Sequence, residues 1–197
     1  MGWGRLRKRP ADTESVGRPA AKPAKSAVSE PLLQRLAQKL DELPAKDELR
    51  VRQAEELLAR QDRGGEQLFA HCQELVDTLN GRISNLRLEL SPETFEGRYL
   101  DQTGCLIQIN AAGRIVQLTL LAREQSACTE HFRIPYILRG AIRWFNQEFL
   151  DRQEIAEQPI FYCLDRNEGR WRFMDAKTRR LGTVTPEFLA EILEQLL

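Results

Sequence analysis

Histidine is almost missing from this chain: there are two, His71 and His131, and methionine is equally scarce. A histidine-based active site or metal cluster therefore has little material to draw on. The four cysteines, Cys72, Cys105, Cys128 and Cys163, are scattered with no CxxC pair. Cys128-Thr129-Glu130-His131 forms a single C-x-x-H, but a structural zinc needs a second close pair, and adjacent helical residues such as His71 and Cys72 diverge too far to supply it. No P-loop, dinucleotide fingerprint or nucleophile elbow occurs. An apolar run fit for a signal peptide is lacking near the start, and nothing downstream approaches the length of a membrane span. These absences lead us to expect a cytoplasmic protein with reduced thiols, no membrane association, no metal or cofactor and no assigned catalytic residue.

Net charge is also absent, since 29 basic residues balance 29 acidic ones across 197 positions, but the balance is uneven. Residues 1–26 carry seven Lys/Arg against two Asp/Glu, residues 27–84 eight against eleven, and residues 85–197 fourteen against sixteen. A basic arm precedes a mildly acidic body. Residues 1–28 are rich in Pro, Ala, Gly and Lys/Arg and poor in large apolar residues, a composition that predicts a disordered tail. Its Arg5–Arg9 run, RLRKR, is a candidate nucleic-acid contact, although a solvated tail is the simpler expectation.

Residues 29–84 read as a helical extension. Ser29 is placed to cap a helix with Pro31 in its first turn, and Leu32, Leu33, Leu36, Leu40 and Leu43 repeat at helical spacing up to an expected break at Pro44. Val51, Ala54, Leu58, Gly65, Leu68, Cys72, Leu75 and Leu79 continue in heptad-like steps. The Gly64-Gly65 pair, costing roughly 2 kcal/mol of helix propensity, leaves either one weak-centred helix or two in line. Packing of this stripe on the chain's own sheet is preferred to a coiled-coil dimer.

From residue 85 onward the period changes to two, predicting an α+β domain over 85–197 in which an antiparallel sheet packs against helices. Strands are expected at Ile83–Leu90, Phe95–Leu100, Cys105–Ile109, Arg114–Leu121, His131–Ile134, Ile160–Leu164 and Arg170–Met174. The Asn110–Gly113 loop closes one hairpin and Asp165–Gly169 another. Arg123–Glu130 reads as a polar loop and Gly182 as a turn residue. Tyr136–Leu150 fits both periods, with Leu138, Ile142, Phe145 and Phe149 favouring a helix. A last helix is capped by Thr185, with Pro186 at its first position and Leu189, Ile192, Leu193 and Leu196 on its buried face.

Catalysis finds only weak candidates. Asp101, Asp165 and Asp175 lie near expected strand ends, where Asp165 reads more simply as a turn residue. A small hydrolase would need His71 or His131 beside a cysteine or carboxylate. The most distinctive candidate surface is Arg170, Arg172, Lys177, Arg179 and Arg180 around Trp171 and Phe173. Arginine forks grip carboxylates and phosphates and stack on aromatic rings, so Arg170, Arg172, Trp171, Arg179 and Arg180 are the candidate binding residues. Ion pairs to Asp165, Glu168 or Asp175 are the plainer expectation for these arginines, and core packing for Trp171 and Phe173.

From Glu66 onward the order helix, three or four strands, helix, two strands, helix resembles the fold of type III secretion chaperones and related small α+β proteins. That resemblance implies a non-enzymatic homodimer holding an extended partner segment, and with no motif behind it no binding residue carries over. The functional expectation is a non-enzymatic interaction or chaperone-like module that binds a peptide segment or self-associates. The alternative is a nucleic-acid-associated protein using the basic tail and the arginine-rich hairpin.

Overall fold

The computed structural model describes residues 29–95, 104–128, 134–152, 154–165 and 168–197, and among these described residues alternation of apolar side chains builds seven strands of one antiparallel sheet. The strands are β1 (Glu89–Ser91), β2 (Cys105–Ala111), β3 (Arg114–Cys128), β4 (Pro135–Phe145), β5 (Ala156–Asp165), β6 (Glu168–Met174) and β7 (Leu181–Thr183). Each pairs with its neighbour in sequence, so the sheet is a meander. Helix α1 (Glu30–Asn80) precedes it, the short α2 (Gln147–Asp151) follows β4, and α3 (Pro186–Glu194) closes the chain. The fold is α+β, as the change of period implied.

By compactness the chain divides into Met1–Lys46 and Asp47–Leu197. In the first unit all described residues are exposed. The second holds the core. Ile107, Leu118, Leu138, Ile142, Ile160 and Trp171 line the inner face of the sheet, with Leu68, Cys72 and Leu75 of α1 and Leu189, Ile192 and Leu193 of α3 packed against it. The Thr185 hydroxyl caps α3 by accepting from the Phe188 N–H at 3.3 Å, with Pro186 in the first turn.

Several sequence expectations are corrected. Helix α1 runs through Pro44, where a break was expected, and of the two alternatives at Gly64-Gly65 it takes the single continuous helix. Pro44 has no N–H for the Leu40 carbonyl, yet that turn is exposed, so the carbonyl is open to solvent rather than buried unpaired. Tyr136–Leu150 is not a helix: residues up to Phe145 belong to β4, and only Gln147–Asp151 is helical. Leu138 and Ile142 fit both the helical period and an alternating strand, whose other members are Gly140 and Trp144. Pro135 opens β4, where no ladder donor is required of it.

The expected loop at Arg123–Glu130 is strand as far as Cys128, since β3 resumes pairing with β4 after a bulge between Ala122 and Ala127. The first hairpin turns more tightly than expected, with Asn110 and Ala111 in β2 and only Ala112 and Gly113 between the strands. Both have positive φ, 51° and 83°. Of the expected Ile83–Leu90 strand only Glu89 and Leu90 pair with β2, and the pairing continues to Ser91. Leu88 is instead held by the Asn80 side chain, which donates to its carbonyl at 3.0 Å and accepts from its N–H at 2.8 Å. Gly182 lies within β7 rather than in a turn. The expected strand Phe95–Leu100, apart from Phe95 itself, and His131–Ile134, apart from Ile134, lie outside the described residues, as do Asp101 and the tail 1–28.

Gly64 of the pair lies directly against the sheet. The Trp171 indole N–H donates to the Gly64 carbonyl at 2.7 Å, and a Cβ on Gly64 would stand 2.7 Å from both Leu138 Cδ1 and Tyr162 Cδ1. Alanine at 64 would gain about 1 kcal/mol of helix propensity but overpack this contact by about 1–3 kcal/mol. Gly64→Ala is therefore expected to lower stability by up to about 2 kcal/mol, read as a reduced denaturation midpoint in urea.

Candidate functional site

Strands β5 and β6 sort their side chains by parity. Ile160, Tyr162 and Trp171 are buried on the inner face, while Phe161, Cys163, Arg170 and Arg172 fall on the outer face, where Cys163 is itself buried, Phe161 and Arg172 are half-buried and Arg170 is exposed. Of the candidate residues, Arg170 and Arg172 thus share a strand face. Trp171 lies on the opposite face, in the core. Arg179 and Arg180 are exposed in the turn between β6 and β7, and Arg179 takes a positive φ of 54°. Asp175 shapes that turn: its carboxylate accepts from the Lys177 N–H at 2.7 Å and the Thr178 N–H at 3.0 Å. These two bonds, the one from Thr178 first, hold its pKa below the usual carboxylate range. Asp175 thus has in this turn the backbone-bonding role expected of Asp165, whose own turn includes residues 166 and 167, outside the described residues.

The outer face has members that the sequence reading missed. Cross-strand pairing sets Arg139 of β4 beside Phe161, and Phe161 beside Arg172, so an aromatic ring stands between two arginines. The Tyr136 and Phe161 rings meet edge to face at 5.0 Å, and the Arg123 guanidinium lies 5.4 Å from the centre of the Tyr136 ring. Arg139 was obscured because its segment was read as helix. The alternation of Leu138, Gly140, Ile142 and Trp144 carried the signal that would have turned Arg139 and Arg143 outward.

The charges on this face are unequally compensated. Arg143 pairs with Glu157 at 2.7 Å and Arg170 with Glu168 at 2.8 Å. Arg172 reaches Asp165 only at 3.9 Å, although its side chain is 19% exposed and its Nε is buried without a hydrogen-bond partner. Arg139 is exposed and has no carboxylate partner among the described residues. An arginine held this way, partly desolvated and weakly paired, is a strong donor to an incoming carboxylate or phosphate.

The groups considered for catalysis are placed differently. Burial pushes the Cys72 thiol up to about 12. The Cys163 thiol rises to about 11, again through burial and against the pull of Arg172's charge, and burial also raises Cys105. Each is a protonated, weakly nucleophilic thiol near neutral pH. Among the described residues no three His, Cys, Asp or Glu side chains gather where they would hold a metal ion, and no helix is long and apolar enough to cross a membrane. His131 lies outside the described residues. His71, half-buried on α1, has its pKa lowered from the usual 6.5 by burial, while the charges of Glu74 on its own helix and Glu187 on α3 act in the opposite direction.

That shift carries a sign. Because the fold favours neutral His71, the unfolded chain binds more protons once the pH drops below about 6.5, and the stability tied to this residue declines as the pH falls toward the lower folded value. The His71→Gln variant is expected to lose less stability than the parent between about pH 6.5 and pH 5, measured by urea denaturation across that range.

No protein-family model, curated protein or solved structure matches this chain.

Proposed function

We propose that this chain is a non-enzymatic interaction module that holds an extended acidic peptide segment on the outer face of its sheet. The observation that carries this reading is the cross-strand row Arg139, Phe161, Arg172, in which one arginine is unpaired among the described residues and the other is half-buried with an unbonded Nε. Acidic side chains on the partner would meet the two guanidinium groups, and an apolar one would lie against Phe161 between them. A face is favoured over strand addition at an edge because the outermost described strands, β1 and β7, have three residues each and offer a short template.

The same arginines and rings support a second reading, in which a single-stranded nucleic acid stacks on this face. Salt separates the two. A peptide recognised by a few charge-assisted bonds loses affinity gradually with salt, whereas a polyanion that releases many counterions loses it steeply.

The test is fluorescence anisotropy of a labelled extended peptide containing Asp, Glu and Phe, run beside a Lys-substituted control peptide and a labelled single-stranded oligonucleotide. Binding of the acidic peptide alone is expected. Arg139→Glu, an exposed change, should weaken it about tenfold or more, the scale of one lost charge-assisted bond. Equal binding of the acidic and lysine peptides, or no response to Arg139→Glu, overturns the reading. Preference for the oligonucleotide with a steep salt slope replaces it with the nucleic-acid one.

A further inference from the structure

The ion pairs on the outer face give it a direction. Arg143 and Arg170 are closely matched by Glu157 and Glu168, at 2.7 Å and 2.8 Å. Arg139 and Arg172 are left with charge to offer, and they lie across the strands rather than along one, with Phe161 between them. Leu121 of β3, 48% exposed, stands beside Arg139 at the end of the same row. From β3 to β6 the row therefore reads apolar, basic, aromatic, basic.

Backbone polarity sets its spacing. The Val184 N–H donates to the Trp171 carbonyl at 2.9 Å, so the backbone groups of Trp171 face β7 and those of Arg172 face β5. Phe161–Arg172 is then a hydrogen-bonded pair with Cα atoms about 5.5 Å apart, and Phe161–Arg139 a non-hydrogen-bonded pair about 4.5 Å apart. The two arginine positions thus stand about 10 Å from each other. Sheet twist rotates one against the other by roughly 45°, which side chains as long as arginine and glutamate absorb.

Few peptide conformations repeat at that distance. Residues on one face of an extended strand recur at about 6.6 Å and about 13 Å. A polyproline II helix has three residues per turn and places positions i and i+3 on one face about 9.3 Å apart. An α-helix matches only at i and i+7, about 10.5 Å, and short helices do not hold two ordered turns unaided. The face adds a second constraint. Along the row β4, β5 and β6 are each paired on both sides, so their backbone groups are committed to the ladder. A β-strand laid across them would leave its own amides without partners, whereas a polyproline II backbone stays solvated and its prolines have no N–H to satisfy.

We infer, resting on the acidic-peptide reading above, that the ligand of this face is a proline-rich segment in polyproline II conformation with an acidic residue at every third position, lying across β4, β5 and β6. Two of its carboxylates, one turn apart, meet Arg139 and Arg172. The prolines between them rest on Phe161, and those before the first acid on Leu121.

The test is fluorescence anisotropy of the full chain with a labelled Glu-Pro-Pro repeat peptide. Three others run beside it: a peptide of the same composition with its glutamates consecutive, an alanine-rich helical peptide with glutamates seven apart, and a Lys-Pro-Pro repeat. The Glu-Pro-Pro repeat is expected to bind about tenfold tighter than the consecutive-glutamate peptide, the scale of one charge-assisted bond kept in place, and the lysine repeat not to bind. Arg139→Glu should abolish that preference, and Leu121→Ser, an exposed change, should weaken the repeat about threefold through lost apolar contact. Circular dichroism verifies that each variant keeps its fold. Equal affinity for the repeat and the consecutive-glutamate peptide, or tighter binding of the helical one, overturns the inference and leaves the acidic-peptide reading standing. Failure of every acidic peptide to bind removes both.

Discussion

The hydrogen bond from the Trp171 indole to the Gly64 carbonyl, 2.7 Å long and fully buried, is where helix and sheet are joined. It forms only because Gly64 has no Cβ: Leu138 and Tyr162 occupy the space one would need. The Tyr162 and Trp171 rings lie 5.4 Å apart beside it, so one helix turn, three strands and two aromatic rings converge on a single residue. Glycine in a helix costs conformational entropy, and here close packing and a buried hydrogen bond offset it. The inner face of the sheet is defined by this contact, and by default so is the outer one.

A second polar contact orders the far end of the same junction. Gln61 is buried and donates through its amide to the Arg123 carbonyl at 2.6 Å and the Ile137 carbonyl at 3.1 Å. Both carbonyls sit where the β3–β4 ladder is interrupted, between the Ala122–Leu138 and Ala127–Tyr136 pairs. A bulge leaves backbone groups without ladder partners, and burial makes that costly unless another donor arrives. Gln61 supplies it. The β4–β5 register also shifts here, between Tyr136 and Leu138, which lets Tyr136 pair with Cys163 and meet Phe161 on the outer face while Leu138 remains in the core.

The arginine face is thus a consequence of how the inner face is anchored. Its polar members alternate with core residues along β4, β5 and β6, and cross-strand pairing converts residues distant in sequence into a row. The weak pairing of Arg172 with Asp165, at 3.9 Å, contrasts with the close Arg170–Glu168 pair on the same strand. Two arginines two residues apart therefore differ in what they have left to offer a partner.

Much of this architecture was legible in the residues alone. Alternation in Cys105–Leu121 and Ile160–Met174 requires strands because only a period of two buries those side chains together, and Thr185-Pro186 announces its helix through a hydroxyl cap and a preset φ. Other features needed the fold. Leu138 and Ile142 are compatible with either period, and it was pairing with β3 and β5 that made them strand. Gly64-Gly65 reads locally as a weak point in a helix, and becomes its docking site only when Tyr162 and Trp171 are brought against it. The order of apolar and polar residues along the chain determined which elements form and which side of each is buried. Tertiary structure alone decided which residues stand beside one another across strands, because register and bulges depend on backbone hydrogen bonds between segments that no local pattern specifies.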